Sequence, residues 1–536
     1  MLALRPYTPL QMVLTVCGKC FSEDPSRKVD YALDVLQGNL ILMDGKVYLR
    51  RHCRRGHGEV ISLYEEDYEL WNYLQQWRVP TKEIIPDTTD NNLPIPLSYI
   101  NGLGNLQTQH SCIFLLDITE NCNLNCPTCF AGSGTGVAKF VRLPHIMRAL
   151  DTAIAREGGR IDVLMLSGGE PTVHPEIVEI IQEATNRKVT RVVLNTNGIR
   201  LAKDDKLVAA LAKLRERVEV YLQFDGFSLE TQLYHRGEDL RQIKAEAIKQ
   251  LAAARIFTTL VMAVAAGVND KEVGQVVQYA FETDYIGGVS FQPVFGSGRA
   301  NPIDPMKRVT TTGVLKLLNE QAGGVVTAED FIALPCSHPD CCSISYFVRG
   351  DQGQLNSIPR LLGIERLKAN LGLVSNRIAF PEANPVIQAA LVGMMSETTT
   401  ITRPELVDYM LSLCDSCDLG LSEFVKSVGA MILKREHPIE TVTKRMKRLT
   451  IKSFMDAWTL NVERLQQCCV HVGSTDGDSN PVRVPFCARQ LFSELRQKTS
   501  AGQVSSAELI PLKRASKFQI TNSGVQNLNK DRDKKA

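Results

Sequence analysis

The sequence predicts an α/β protein: a partial barrel of six strand–helix units in the middle, a small metal-knuckle domain before it and a helical, cysteine-bearing region after it. Three observations carry that expectation. Apolar, strand-like runs start near Ile113, Asp162, Arg191, Glu219, Thr258 and Gly288, mostly about 30 residues apart, the length of one strand with its returning helix. The stretches 145–157, 175–187 and 240–255 between them are amphipathic at helical spacing. Apart from Cys112, the fifteen cysteines gather in groups, one in each region. The expected boundaries are 1–95, 105–305 and 306–500, with Pro80, Pro86, Pro94 and Pro96 marking the first linker and a basic, disordered tail at 501–536.

Composition bounds the function. With 536 residues, 44% hydrophobic and 22% charged, the chain can bury a large core, which excludes whole-chain disorder and a disulfide-stapled miniature fold. A net charge of +2 argues against a protein built around the nucleic-acid backbone. From Pro511 onward Lys513, Arg514, Lys517, Lys530, Arg532, Lys534 and Lys535 outnumber Asp531 and Asp533, and anionic lipid would attract such residues by ~1 kcal/mol each. No apolar run approaches the roughly 20 residues that span a bilayer. Pro6, Tyr7, Pro9 and Gln11 interrupt any secretory h-region, so a cytoplasmic chain is expected. In that reducing setting cysteines hold metals rather than disulfides.

The first group is Cys17, Cys20, Cys53 and His57, two short knuckles that suit a tetrahedral zinc or a mononuclear iron in a rubredoxin-like or zinc-ribbon-like domain. The alternative is a three-cysteine site with His57 on the surface; in either case the role is structural. Gly18 fits a tight turn at the knuckle, and Asp44-Gly45 reads as a hairpin turn.

The second group is Cys122, Cys126 and Cys129, in Cys-Asn-Leu-Asn-Cys-Pro-Thr-Cys after the run 113–119. Three thiolates on one short loop can ligate three corners of a [4Fe–4S] cube and leave one iron open. About 40 residues later Ser167-Gly168-Gly169-Glu170-Pro171 closes another strand-like run. Together the two motifs resemble the radical S-adenosylmethionine (SAM) superfamily. There the matching Gly-Gly-Glu segment holds the methionine amino group, its glycines admitting a close approach and its carboxylate pairing with the ammonium. The residue before the third cysteine is commonly aromatic in that superfamily; here it is Thr128, with Phe130 following Cys129.

In a TIM-like partial barrel, functional residues belong at the C-terminal ends of strands. Asn195 and Asn197, Gln223 and Asp225, Asn269 and Gln292 stand there, as candidates for methionine carboxylate, ribose and substrate. Each alone could be a cap or turn residue, Asp225-Gly226 and Asn197-Gly198 especially.

The third group is Cys336, Cys341, Cys342, Cys414, Cys417, Cys468, Cys469 and Cys487. Eight cysteines suffice for one or two auxiliary [4Fe–4S] clusters, or for zinc. Adjacent cysteines in extended chain point to opposite sides, so each pair could serve two sites. His338 and His471 read as hydrogen-bonding groups beside these sites, and Cys112 as a buried small hydrophobe.

The segments 121–131, 222–227, 267–270, 291–294, 334–342 and 453–457 narrow the resemblance to the tetraether lipid synthase family, over most of the chain from Cys17 to Cys487 but not around 352–402. That resemblance implies a carbon–carbon bond formed between the unactivated ends of two lipid chains. Two SAM molecules are consumed per bond, and an auxiliary cluster holds the first carbon radical. It also implies a low-potential donor, ferredoxin or flavodoxin, and leaves room for peripheral membrane contact. The apolar stretches 385–395 and 424–433 could line a lipid tunnel, although packed helices need the same pattern. Two other readings stand: a radical SAM peptide maturase with auxiliary clusters, which predicts a peptide-docking domain at the N-terminus, and a non-enzymatic iron–sulfur electron carrier, which leaves Gly168-Gly169-Glu170 unexplained.

Overall fold

The computed structural model describes residues 7–78, 110–136, 139–334, 337–350, 353–362, 446–473, 483–500 and 504–505. Cys336, Cys414, Cys417, the four linker prolines, the stretches 385–395 and 424–433 and the basic tail lie outside the described residues.

Strands β1 (Thr8–Thr15), β2 (Leu36–Met43), β3 (Lys46–Cys53) and β4 (Gly58–Glu65) form an antiparallel sheet in sequence order. Asp44 and Gly45 join β2 to β3 with φ of 50° and 73°, the positive pair that a two-residue hairpin of matching twist requires. Gly18 has a different reason from the expected turn: a Cβ there would come within 2.3 Å of the Trp458 indole. Asp340, fully buried, fastens this ribbon to the rest of the chain by accepting from Tyr64 Oη (2.6 Å), Trp71 Nε1 (3.0 Å) and Gln75 Nε2 (2.7 Å).

Among the described residues fourteen strands follow: β5 (Ile113–Thr119), β6 (Lys139–Phe140), β7 (Ile161–Gly168), β8 (Val189–Thr196), β9 (Val218–Gln223), β10 (Thr258–Val264), β11 (Ile286–Pro293), β12 (Ile332–Ala333), β13 (Cys342–Arg349), β14 (Leu355–Ser357), β15 (Met446–Lys452), β16 (Val470–Gly473), β17 (Arg483–Pro485) and β18 (Val504–Ser505). They make one mixed sheet, whose main path runs β12-β13-β15-β11-β10-β9-β8-β7-β5-β16-β17. Its centre is six adjacent parallel strands, β5, β7, β8, β9, β10 and β11, each starting within two residues of its expected place. These strands read as unbroken apolar runs because both faces are covered. Leu116, Leu164, Leu166 and Leu194 pack outward against helices such as Leu143–Arg156 and Ile177–Thr185, while Leu115, Val163, Met165 and Val193 fill the barrel interior.

Beyond residue 306 the chain does more than the helical region expected. It returns to both edges of the sheet: β15 pairs parallel to β11 and carries antiparallel β13, while β16 pairs parallel to β5 at the opposite edge. The C-terminal third thereby supplies both sides of the barrel's opening.

One ribbon contact is pH-dependent. Glu65 at the end of β4 accepts from Thr312 N (2.9 Å) and Thr312 Oγ1 (2.8 Å), and burial pushes its carboxyl up to about 7. With the folded pKa above the unfolded one, the unfolded chain releases this proton first. The stabilisation is therefore full below about pH 4.5 and is lost as pH rises towards about 7, on the order of 3 kcal/mol. Glu65→Gln is expected to be more stable than wild type in urea at about pH 8 and to lose that lead at about pH 5. An identical difference at both pH values would exclude Glu65 as the source.

Candidate active site

The loop after β5 carries Cys122, Cys126 and Cys129, and backbone hydrogen bonds fix its shape. Cys122 N donates to Gly134 O (3.2 Å) and Cys129 N to Cys126 O (3.3 Å). The end of β7 is zipped against the same loop, Gly169 N donating to Thr119 O (2.7 Å) and Glu170 N to Asn121 O (2.8 Å). The two glycines are required here: a Cβ on Gly168 would stand 2.1 Å from Thr119 O, and one on Gly169 2.1 Å from Asn121 O. Their smallness thus admits the cysteine loop itself.

Sequence reasoning missed Arg299, which follows β11 and clamps this loop. Its Nε donates to Cys126 O (2.7 Å), Nη1 to Gly132 O (3.0 Å) and Nη2 to Ser133 O (2.6 Å). The partners lie more than 160 residues upstream, so no local pattern marks them. Arg299→Ala is expected to leave the fold intact but to weaken iron retention at this loop, and Arg299→Lys not to restore it, because an ammonium cannot reproduce the three-donor fork. Iron content after gel filtration checks this; full retention by both variants would deny the clamp.

Cys122, Cys126 and Cys129 line one cleft together with Gly168, Gly169, Glu170, Asn195, Asn197, Gln223 and Gln292. Glu170, whose carboxylate the resemblance assigns to the methionine ammonium, is 2% exposed: Oε1 accepts from Thr172 N (3.1 Å), Thr172 Oγ1 (2.6 Å) and Thr196 Oγ1 (2.7 Å), and Oε2 from Asn197 N (2.8 Å). It binds the ends of β7 and β8 together, with one oxygen left room for a further donor. Along the strand ends Asn195 Nδ2 donates to Ser167 Oγ (3.2 Å), Gln223 Nε2 to Asn195 Oδ1 (2.7 Å) and Arg236 Nη2 to Gln223 Oε1 (3.1 Å). Asn197 Nδ2 reaches Asn123 Oδ1 in the cysteine loop (2.7 Å).

Asp225 corrects an expectation. It does not line the cleft; its side chain is fully buried, at φ 67°, with Arg236 Nε at 2.6 Å and Lys244 Nζ at 3.2 Å. Although burial alone would raise its carboxyl, the two cations hold it well below the ordinary carboxylate range. Arg236 in turn lines the cleft with Cys126, and its charge acts on that sulfur. Two cations against one carboxylate leave a surplus positive charge facing a thiolate. Thr128, in the position expected to be aromatic, bonds instead to His235 Nδ1 (3.1 Å), while Phe130 packs on Phe295 and Phe486 at ring distances of 5.9 and 5.6 Å.

Burial pushes the Cys122 thiol up to about 12 and raises that of Cys126. Such thiols become thiolates by binding a metal. The donor set, three sulfurs beside a cationic partner in a cleft of polar strand-end groups, fits a cubane with one open iron and its SAM ligand.

The N-terminal group converges as expected. Cys17, Cys20, Cys53 and His57 place their ligand atoms within 4.8 Å of one another, with His57 Nδ1 3.6, 3.3 and 3.4 Å from the sulfurs in that order. Tetrahedral zinc or iron, with bonds of about 2.0–2.3 Å, puts its donors at about this spacing. Glu23 lies 3.1 Å from His57 Nε2 and orients the ring as an outer carboxylate does at metal sites.

The described members of the third group sit on the two edges of the barrel's opening: Cys341 and Cys342 at the start of β13, Cys468 and Cys469 before β16, Cys487 just after β17. Burial raises the Cys468 and Cys342 thiols, and neighbouring cysteines across the seam add to it, Cys487, Cys469 and Cys341 for the first and Cys469 and Cys341 for the second. Arg464 Nε approaches Cys341 Sγ at 3.4 Å, and Met455 N donates to Cys487 Sγ at 3.3 Å. His338 lies 3.5 Å from Asp340, and His471 Nδ1 meets Ser111 Oγ at 2.9 Å. A second cavity inside the barrel, walled by Ile113, Val163, Met165, Val193 and Ile344 and by the charged Glu219, Arg448 and Lys452, also reaches Cys342 and Tyr221. Tyr221 Oη also accepts from Gln292 Nε2 (3.4 Å), a residue of the first cleft.

Comparison with known proteins agrees with the cysteine loop. Residues 116–280 match the model of the Radical SAM superfamily. The chain is 29% identical over 521 residues to a 7,8-dihydro-6-hydroxymethylpterin dimethyltransferase of Methanocaldococcus jannaschii, covering 91% of this chain and 95% of that one. It is 32% identical over 174 residues to a probable GTP 3′,8-cyclase of Thermococcus kodakarensis, covering 32% of this chain and 53% of that one. Among solved structures, Streptococcus suis SuiB bound to S-adenosylmethionine aligns at 16% identity and a TM-score of 0.34, over 42% of this chain and 50% of that one. Residues 116–280 are a radical SAM domain, and the chain that carries it is a radical SAM enzyme, with SAM and a [4Fe–4S] cluster as the cofactors this implies.

Proposed function

We propose that the enzyme joins the unactivated sp³ ends of two lipid alkyl chains, making a membrane-spanning, tetraether-type lipid. The observation that carries this is the cavity inside the barrel, whose apolar wall of Ile113, Val163, Met165, Val193 and Ile344 faces Glu219, Arg448 and Lys452; it reaches Cys342 of the cysteine seam and Tyr221, to which Gln292 of the SAM cleft donates. An alkyl terminus suits the apolar wall, and a hydrogen taken from it would pass to a radical formed in the adjoining cleft.

Cys122, Cys126 and Cys129 would hold the [4Fe–4S] cluster, and what this supplies, once reduced, is the cleavage of SAM to methionine and a 5′-deoxyadenosyl radical. The remaining work belongs to the chain. Gly168, Gly169 and Glu170 shape the methionine end, Asn195, Asn197 and Gln223 offer amide groups to ribose and carboxylate, and Phe295 walls the cleft from water. Two C–H bonds break and one C–C bond forms, so two SAM and two electrons yield two deoxyadenosines and two methionines. The electrons come from a low-potential ferredoxin or flavodoxin. Cys341, Cys342, Cys468, Cys469 and Cys487 are proposed to hold auxiliary iron–sulfur at the seam, beside the first radical. Among the described residues no helix is long and apolar enough to cross a membrane; lipid would be reached from the membrane surface.

A second reading, methylation of a pterin-like ring, is favoured by the relative matched over nearly its whole length. The anaerobically reconstituted chain, given SAM, a low-potential reductant and a lipid extract, is expected to form a product of twice the lipid mass less two hydrogens. Turnover of a dihydropterin or a peptide without coupled lipid would refute the proposal.

A further inference from the structure

Cys112 stands alone in the sequence, yet the fold does not leave it alone. It is fully buried and packs with Cys342, Cys469, Leu334 and Ile344 in one cluster at the barrel seam. Parallel pairing of β16 with β5 produces this: Val470 is in register with Ile113, and Ile113 N donates to Cys469 O at 3.2 Å, so Cys112 and Cys469 are neighbours on the segments leading into adjacent strands. Cys342 comes from the opposite edge of the opening. His110 Nε2 lies 3.0 Å from the Cys112 sulfur, and its Nδ1 faces Glu157 Oε2 at 3.7 Å. Glu157 is held by Arg483 Nη1 (2.5 Å) and Ser111 N (2.9 Å). A histidine touching a cysteine sulfur through one nitrogen and facing a carboxylate through the other is the arrangement of His57 and Glu23 at the N-terminal site.

We propose that Cys112, with Cys342 and Cys469, ligates an iron–sulfur cluster that bridges the two edges of the open barrel, and that His110 is a positioning residue, donating to the Cys112 sulfur. The site is then distinct from the side of the seam where Arg464 and Met455 contact Cys341 and Cys487. Ligands from both edges make the cluster a staple across the sheet, and the membership of Cys342 brings it to the interior cavity.

The inference rests on the reading that the seam cysteines hold iron–sulfur, and one experiment separates the two. The full chain carrying C122A, C126A and C129A is reconstituted anaerobically, and its iron, sulfide and electron paramagnetic resonance spectrum are compared with those of the same chain bearing C112S, C112A or H110A. Expected is the loss of about four irons and four sulfides, with one reduced-cluster signal, in C112S and C112A. H110A is expected to keep the iron but shift the signal and the midpoint potential. Iron, sulfide and spectrum unchanged in C112S overturn the assignment. Should both Cys112 variants misfold, an H110A spectrum and potential equal to the parent's overturn it as well. A parent chain with no sulfide-bound iron at all would remove the auxiliary-cluster part of the proposed function, and this inference with it.

Discussion

Replacing Cys126 by alanine is expected to stop 5′-deoxyadenosine formation, by at least about a thousandfold, or about 4 kcal/mol of transition-state stabilisation. Two sulfurs from Cys122 and Cys129 cannot hold three corners of a cube, and Cys126 is also the sulfur on which the Arg236 charge acts. The loss should be one of chemistry and not of folding: the N-terminal donors lie in a separate sheet, and their metal content and the thermal midpoint should change little. Anaerobic assay of deoxyadenosine with dithionite as reductant checks this. Retention of more than about a tenth of the wild-type rate would mean that the loop does not hold the reacting cluster.

Asp225→Ala is expected to destabilise the chain by about 3–5 kcal/mol, because it strips the carboxylate from two buried cations. Arg236 Nε at 2.6 Å and Lys244 Nζ at 3.2 Å would then face each other's charge with side chains 13% and 1% exposed. Burial has already brought Lys244 down to about 8, so it is the cation that would shed its proton to relieve the site. The contribution of Asp225 carries a pH sign: its folded pKa is depressed, so the stability is present above about pH 4 and fades as pH falls below it. Urea unfolding near pH 7 measures the effect, and a Lys244→Met partner should recover part of it in a double-mutant cycle. A change below about 0.5 kcal/mol would show that the cluster of charges is not what holds the strand end.

The central strands were legible because short apolar runs about 30 residues apart admit few arrangements other than repeated β-α units. Both motif cysteines and glycines could be read for the same reason, that a local spacing carries their chemistry. The partners of Glu170 could not. Its carboxylate is taken by Thr172, Thr196 and Asn197, and only the adjacency of β7 and β8 brings the last two to it. Asp225 read as a candidate ligand because it stands at the C-terminal end of a strand, whereas the cations that bury it stand 11 and 19 residues on, on helices. Arg299 and the neighbours of Cys112 are long-range by more than 160 and 220 residues. The return of β15 and β16 to opposite edges of the sheet had no signal, since β16 is only four residues long and each pairs with a strand more than 150 residues upstream.

The most direct test of the account is the stoichiometry of a turnover with SAM labelled in its methyl group. Hydrogen abstraction from two alkyl termini predicts two deoxyadenosines per carbon–carbon bond, all of the label remaining in methionine, and a product free of it. Label in the product, with S-adenosylhomocysteine released, would contradict the account and make the enzyme a methyltransferase.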